Sequence, residues 1–215
     1  MSVQIIIAIA IGYLLGSIPS AYIIARLKLG IDIRERGGGN VGTMQVWREV
    51  GPPYAIITLL GDMAKGALAV YIARWLGLEL IWTGAAGFAA VVGHNWPAFL
   101  GFRGGKGAAT IMGVLLAFMP AQFAIGLAVA ALILIFTGNV RLGMIGLALI
   151  PLIAWLFDKE AIYIYYPIFL ILFLIAYLLT GLRADVARAK KEGRKWRLVE
   201  RDFNFLRGKK DKEVK

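Results

Sequence analysis

The 215-residue sequence contains no cysteine and a single histidine, His94. The first absence excludes disulfides, thiolate metal sites and cysteine nucleophiles. The second excludes every multi-histidine metal centre, so no metal or other cofactor is expected. Acidic residues are also scarce, with 13 Asp and Glu against 24 Lys and Arg and a net charge of +11. No basic residue precedes the first apolar run and no small-x-small cleavage site follows it, so that run is expected to be a retained span rather than a leader.

What the chain has in abundance is apolar length. Hydrophobic residues make up 60% of it and its mean hydropathy is +0.73. They fall in long runs, at about 3–27, 53–76, 79–99, 108–137, 142–157 and 161–182. At ~1.5 Å per helical residue, each run crosses or nearly crosses a ~30 Å hydrocarbon core. The expected fold is an all-α integral membrane protein, with residues 1–182 as one polytopic domain and 183–215 as a basic tail. The fourth run is too long for one straight span and carries Pro120 near its middle, which leaves one kinked helix or two short ones.

Charge orients the spans, because loops rich in Lys and Arg stay cytoplasmic. Arg26, Lys28, Arg34, Arg36 and Arg48 follow the first run, Arg103 and Lys106 follow the third, and 13 cations lie after Gly181. Dividing the fourth run at Pro120 puts all three groups on one side and gives about seven crossings. The N-terminus is then outside the cell membrane and the tail in the cytoplasm, lying against anionic headgroups rather than nucleic acid.

Two glycine-rich stretches share the expected cytoplasmic face, DIRERGGGNVGTMQVWREVG at 32–51 and GHNWPAFLGFRGGKGAAT at 93–110. Either alone reads equally well as a tight turn between helices. Together, each with cations, they point to an anionic ligand: glycines let backbone N–H groups converge on an anion, and a following helix N-terminus adds its positive end. A nucleotide-binding Walker loop is excluded, because Lys106 is followed by Gly107 and Leu100 occupies the first glycine position. Asp62 and Lys65 lie about ten residues into the second run and share a helical face, as an ion pair or as substrate contacts. His94, Asn95 and Asn40 fall at borders between loops and spans, where caps and turns are the ordinary roles. Pro19 interrupts the first run, with Ser17 and Ser20 expected to satisfy the freed carbonyls. Trp96 and Tyr54 read as interfacial anchors.

GYLLGSIPSAY (12–22), DIRERGGGNVGT (32–43), GDMAKG (61–66) and GHNWPAFLGFRGGKGAAT (93–110) together resemble the membrane-integral glycerol-3-phosphate acyltransferases that use acyl phosphate as donor. TGNVRLGMI (137–145) extends the likeness. The resemblance implies about seven spans, cytoplasmic catalysis, and acyl transfer from acyl phosphate to the 1-hydroxyl of glycerol 3-phosphate among membrane lipids, with no cofactor. It assigns Lys106 and Arg48 to catalysis, and Gly38, Gly39, Asn40, Gly42, Arg103, Gly104, Gly105 and Gly107 to phosphate binding. His94, Asn95, Asp62, Lys65 and Arg141 are secondary candidates. The chain departs from the family pattern where Gly38 replaces a serine, where Arg141 and Met144 stand at serine positions, and where a C-terminal His-Arg motif is missing. Arg141, Arg183 and Arg188 are the available replacement phosphate donors. The His-x4-Asp mechanism of other acyltransferases is excluded, since Phe99 stands five residues after His94. Two further readings use the same residues: an enzyme with an altered acceptor or donor, and a non-catalytic phospholipid-binding protein or small transporter. A transporter would carry polar residues along a transmembrane path, whereas these charges gather at one face. Oligomeric state is not encoded in any of these features.

Overall fold

The computed structural model describes residues 1–36, 39–157 and 160–191. Gly38 and the tail from 192 onward lie outside the described residues, as do the side chains of Arg141, Arg183 and Arg188. The described residues form ten α-helices: α1 (Ser2–Ser17), α2 (Ser20–Leu29), α3 (Thr43–Glu49), α4 (Pro52–Trp75), α5 (Leu80–Asn95), α6 (Ala108–Phe118), α7 (Pro120–Thr137), α8 (Val140–Ala148), α9 (Ile150–Phe157) and α10 (Ala161–Lys191). Among the described residues four apolar helical stretches are long enough to cross a bilayer, Ser2–Leu29, Pro52–Trp75, Pro120–Thr137 and Ala161–Gly181. This is an all-helical, multi-pass membrane protein. Helix α10 runs through the expected boundary at 182 to Lys191.

Proline sets three of the breaks. Residues 108–137 form two helices, parted at Met119 with Pro120 opening α7. Pro151 parts α8 from α9 near Leu149, since it has no N–H to give the carbonyl of residue 147. At Pro19 the first run breaks outright instead of kinking. Ser17 Oγ donates to the Tyr13 carbonyl at 2.8 Å, and the Ile18 carbonyl at the break accepts from the Ser20 N–H and from Lys65 Nζ, each at 3.1 Å.

The helices approach through glycine. In hydrocarbon, helices gain nothing by hiding apolar side chains from lipid, so close backbone contact does the work. Gly12 and Gly16 on α1 press against the backbone of Ala86 and Ala90 on α5, and Gly93 of α5 returns the contact at Tyr13. Gly66 on α4 meets the Thr110 carbonyl of α6, and Gly113 of α6 meets the Met63 backbone. Gly146 on α8 lies against Ala130 of α7. At the far end of α4, Arg74 donates to the Ala117 and Phe118 carbonyls at 2.8 and 3.1 Å, closing the C-terminus of α6.

Candidate active site

At the other end of α4 a small apolar core of Ala21, Ala25, Ile33, Val41, Val46, Ala55 and Leu100 carries the two glycine-rich segments. The first segment is not all loop. A 3₁₀ turn at Ile33–Glu35 follows Asp32, and Thr43–Glu49 is helical. Gly39 turns with φ +68°, a conformation that favours glycine, and its N–H donates to the Arg36 carbonyl at 2.9 Å. Gln45, buried in α3, donates from Nε2 to that same carbonyl at 2.9 Å and to Glu49 Oε1 at 3.3 Å. Arg48 is exposed on α3, Asn40 is half-buried, and Gly42 is buried just before the helix.

The second segment folds back over the end of α5. Gly104 and Gly105 donate their N–H groups to the Asn95 and His94 carbonyls at 3.2 and 3.1 Å. Gly107, at φ +81°, opens α6, and a Cβ there would meet Asn95 Oδ1. Arg103 and Lys106 are exposed along this strap. Lys106 thus stands one residue before a helix N-terminus whose first amides have no intrahelical acceptor, an arrangement suited to an anion.

Arg34 joins the two segments. Its guanidinium takes Asp32 at 2.6–3.2 Å, donates from Nη1 to the Leu100 carbonyl at 3.2 Å, and lies over the Tyr22 ring with 5.4 Å to its centroid. Hydrogen bonding by Arg34 holds the Asp32 carboxyl below its ordinary value, and Asp32 raises that of Arg34 in turn. In sequence Arg34 is only one of the loop charges after the first apolar run. The short Asp32–Arg34 spacing was its one local signal.

His94 and Asn95 stand at the expected border between span and loop, but buried rather than as surface turn residues. They end α5 at 7% and 1% exposure, because the strap covers them. Asn95 makes no side-chain hydrogen bond, while its carbonyl also accepts from Tyr177 Oη at 3.4 Å. Asp62 and Lys65 form the ion pair that was one of two expectations, at 2.9 Å and nearly fully buried. Trp96 is partly exposed but packs its ring edgewise on Tyr177, 5.0 Å between centroids, tying the strap to α10. Tyr54 lies beneath Lys28, 5.1 Å from its ring centroid. The structure brings the two glycine-rich segments together, Gly39, Asn40 and Gly42 in the first and Gly104, Gly105 and Gly107 in the second, through Arg34 at the Leu100 carbonyl and the Val41 carbonyl at Gly105; Arg48 is exposed on α3, and Arg103 and Lys106 on the second segment. His94, Asn95, Asp62 and Lys65 lie beneath it. Among the described residues no cluster of His, Asp and Glu has the composition of a metal site.

The glycerol-3-phosphate acyltransferase family model matches residues 6–191 of the chain. The chain belongs to this family. A glycerol-3-phosphate acyltransferase from Clostridioides difficile strain 630 is 40% identical over 190 residues, covering 86% of this chain and 90% of its own. Another, from Desulforudis audaxviator strain MP104C, is 45% identical over 147 residues, 67% of this chain and 72% of that one. The crystal structure of PlsY, an integral membrane glycerol 3-phosphate acyltransferase, in its glycerol 3-phosphate form matches with a TM-score of 0.74 at 29% identity, over 90% of this chain and 95% of that one. The lysophosphatidic acid form gives 0.75 at 28% identity, over 94% and 96%.

Proposed function

We propose that this protein transfers the acyl group of an acyl phosphate to the 1-hydroxyl of sn-glycerol 3-phosphate, making lysophosphatidic acid for phospholipid synthesis. The observation that carries this reading is the joining of two cation-bearing glycine segments by Arg34 over a membrane-embedded body. Acyl phosphate is already an activated anhydride, so the protein has chiefly to hold two phosphates and orient one hydroxyl. Lys106 and Arg48 neutralise the phosphates, with Arg103 and the glycine amides around them. The glycerol oxygen bonds to the acyl carbon while the carbon–oxygen bond to phosphate breaks. Phosphate leaves with that electron pair, and the hydroxyl proton ends on a phosphate oxygen. His94 does not serve as the base, since it is buried and its Nε2 lies under Gly105.

The charge distribution supports about seven crossings of the cell membrane, with the loop cluster and basic tail cytoplasmic and the N-terminus outside. Purified protein given acyl phosphate and glycerol 3-phosphate is expected to release inorganic phosphate. Lys106→Ala should lower that rate by about 100-fold or more, the scale of losing one transition-state charge contact. As an exposed loop residue it should change stability by only about 0.5 kcal/mol. Folded wild-type protein that releases no phosphate ends the proposal.

A further inference from the structure

We infer that Asp62, Lys65 and His94 are positioning residues that tie the helix break at Pro19 to the floor of the strap at 101–107, and so fix where Lys106 stands. The inference rests on the phosphate-holding role proposed for Lys106. Three sequence motifs that the loop cluster leaves unused, GSIPS, GDMAKG and GHN, meet at this one buried point.

The connections run in order. Helix α1 ends at Ser17, and Lys65 Nζ donates to the Ile18 carbonyl at 3.1 Å, beside the Ser20 N–H that the same carbonyl accepts. The Lys65 charge is met by Asp62 Oδ1 at 2.9 Å, with side chains only 5% and 2% exposed. His94 Nδ1 stands 3.6 Å from the same oxygen. On the far side of the imidazole, Nε2 faces Gly105 so closely that a Cβ there would collide with it. The ring is thus the surface on which Gly105 rests, while the carbonyls of His94 and Asn95 pin the strap from below.

Asp62, Lys65 and His94 are each less than a tenth exposed and lie under Gly104 and Gly105 beside Ser17 and Pro19, so they act on the strap above them. Stability is an insufficient reason for the cluster, because a buried ion pair is often matched by apolar residues of the same volume. What apolar residues would not supply is direction. The Asp62 carboxylate on one side and Gly105 on the other confine the imidazole to one orientation, and a reactive group is only as well placed as the residues beneath it.

The test removes the charges without orphaning either one. In Asp62→Leu/Lys65→Met protein, hydrogen exchange of residues 101–110 should accelerate about ten-fold or more while residues 5–16 of α1 keep wild-type exchange. Phosphate release should fall about 10- to 100-fold, the scale of a displacement of about 1 Å at the reacting groups. His94→Leu should reproduce both effects, and adding it to the double variant should cost nothing further, as expected of residues acting through one path. Wild-type exchange and turnover in the double variant overturn the inference. So does faster exchange spread evenly over α1 and the strap, which makes the cluster a stability element only, and so do additive losses. A wild-type protein without turnover refutes the proposed function instead, and the exchange comparison still decides this one.

Discussion

Gly105→Ala is the substitution that most directly challenges the arrangement of the strap. The added methyl would meet His94 Nε2 and the Val41 carbonyl, with His94 Cε1 at 2.9 Å. Ordinary contacts lie at about 3.5–4.0 Å and the two polar atoms are closer than Cε1, so the strap must rise by roughly 1 Å or more, or the ring must move. Neither is easy, because the Gly105 N–H is bonded to the His94 carbonyl at 3.1 Å and Gly104 to Asn95 at 3.2 Å. Overpacking of this kind costs about 1–3 kcal/mol. A shift of about 1 Å at neighbouring Lys106 lowers turnover by about 100-fold. The measurement pairs phosphate release with thermal melting of the detergent-solubilised protein, using Gly181→Ala on α10 as the control. No atom lies within 4 Å of a Cβ at Gly181, so the control should gain about 0.5–1 kcal/mol of helix stability and keep full turnover. Wild-type turnover in Gly105→Ala would show that the strap's height does not matter and would refute the reasoning.

Two further outcomes are expected. Asp32 has its folded pKa lowered by Arg34, so the stabilisation it gives is complete above the unfolded value of about 3.9 and is lost as pH falls through the lowered folded value. The difference in melting temperature between wild type and Asp32→Asn should be flat from about pH 7 to 5 and shrink below about pH 4; with both side chains partly exposed, it should correspond to about 1 kcal/mol or less. A difference constant down to pH 3 would contradict this. Because the chain has no cysteine, single cysteines report topology cleanly. At Trp75, which is 87% exposed at the far end of α4, a cysteine should react with an impermeant maleimide on intact cells. One at Arg36 should react only after permeabilisation, and the reverse pattern would invert the orientation.

Much of this was legible from residues alone. Pro120 announced the break between α6 and α7, the spacing of Asp62 and Lys65 announced a shared face, and the paired glycine segments announced the loop cluster. What escaped the reading was non-local. His94 and Asn95 look like border residues in sequence; they are buried only because a strap ten residues later folds back onto their carbonyls, and hydrophobic periodicity carries no trace of that return. Arg34 was counted as a loop charge because its partner on the second segment is a backbone carbonyl, which has no residue signature. Gly12 and Gly16 were readable in principle as a small-residue seam, but α1 is apolar all round and gives no hint of which face meets α5.

The depth of the buried cluster has a consequence for where the substrates are counted. Asp62 stands ten residues into α4, about 15 Å from its first turn at 1.5 Å per residue, in a helix of 24 residues. The end of α5 on which the strap rests therefore lies well inside the length of α4, and with α4 as a span this sets the strap toward the headgroup level of one leaflet. Under the proposed function, an acyl phosphate turned over there would keep its chain among the lipids and bend only its head inward. Its supply would then be a surface density within a single leaflet, set by lateral diffusion, while glycerol 3-phosphate would arrive from a volume. Such an enzyme is a meeting point between a two-dimensional pool and a three-dimensional one.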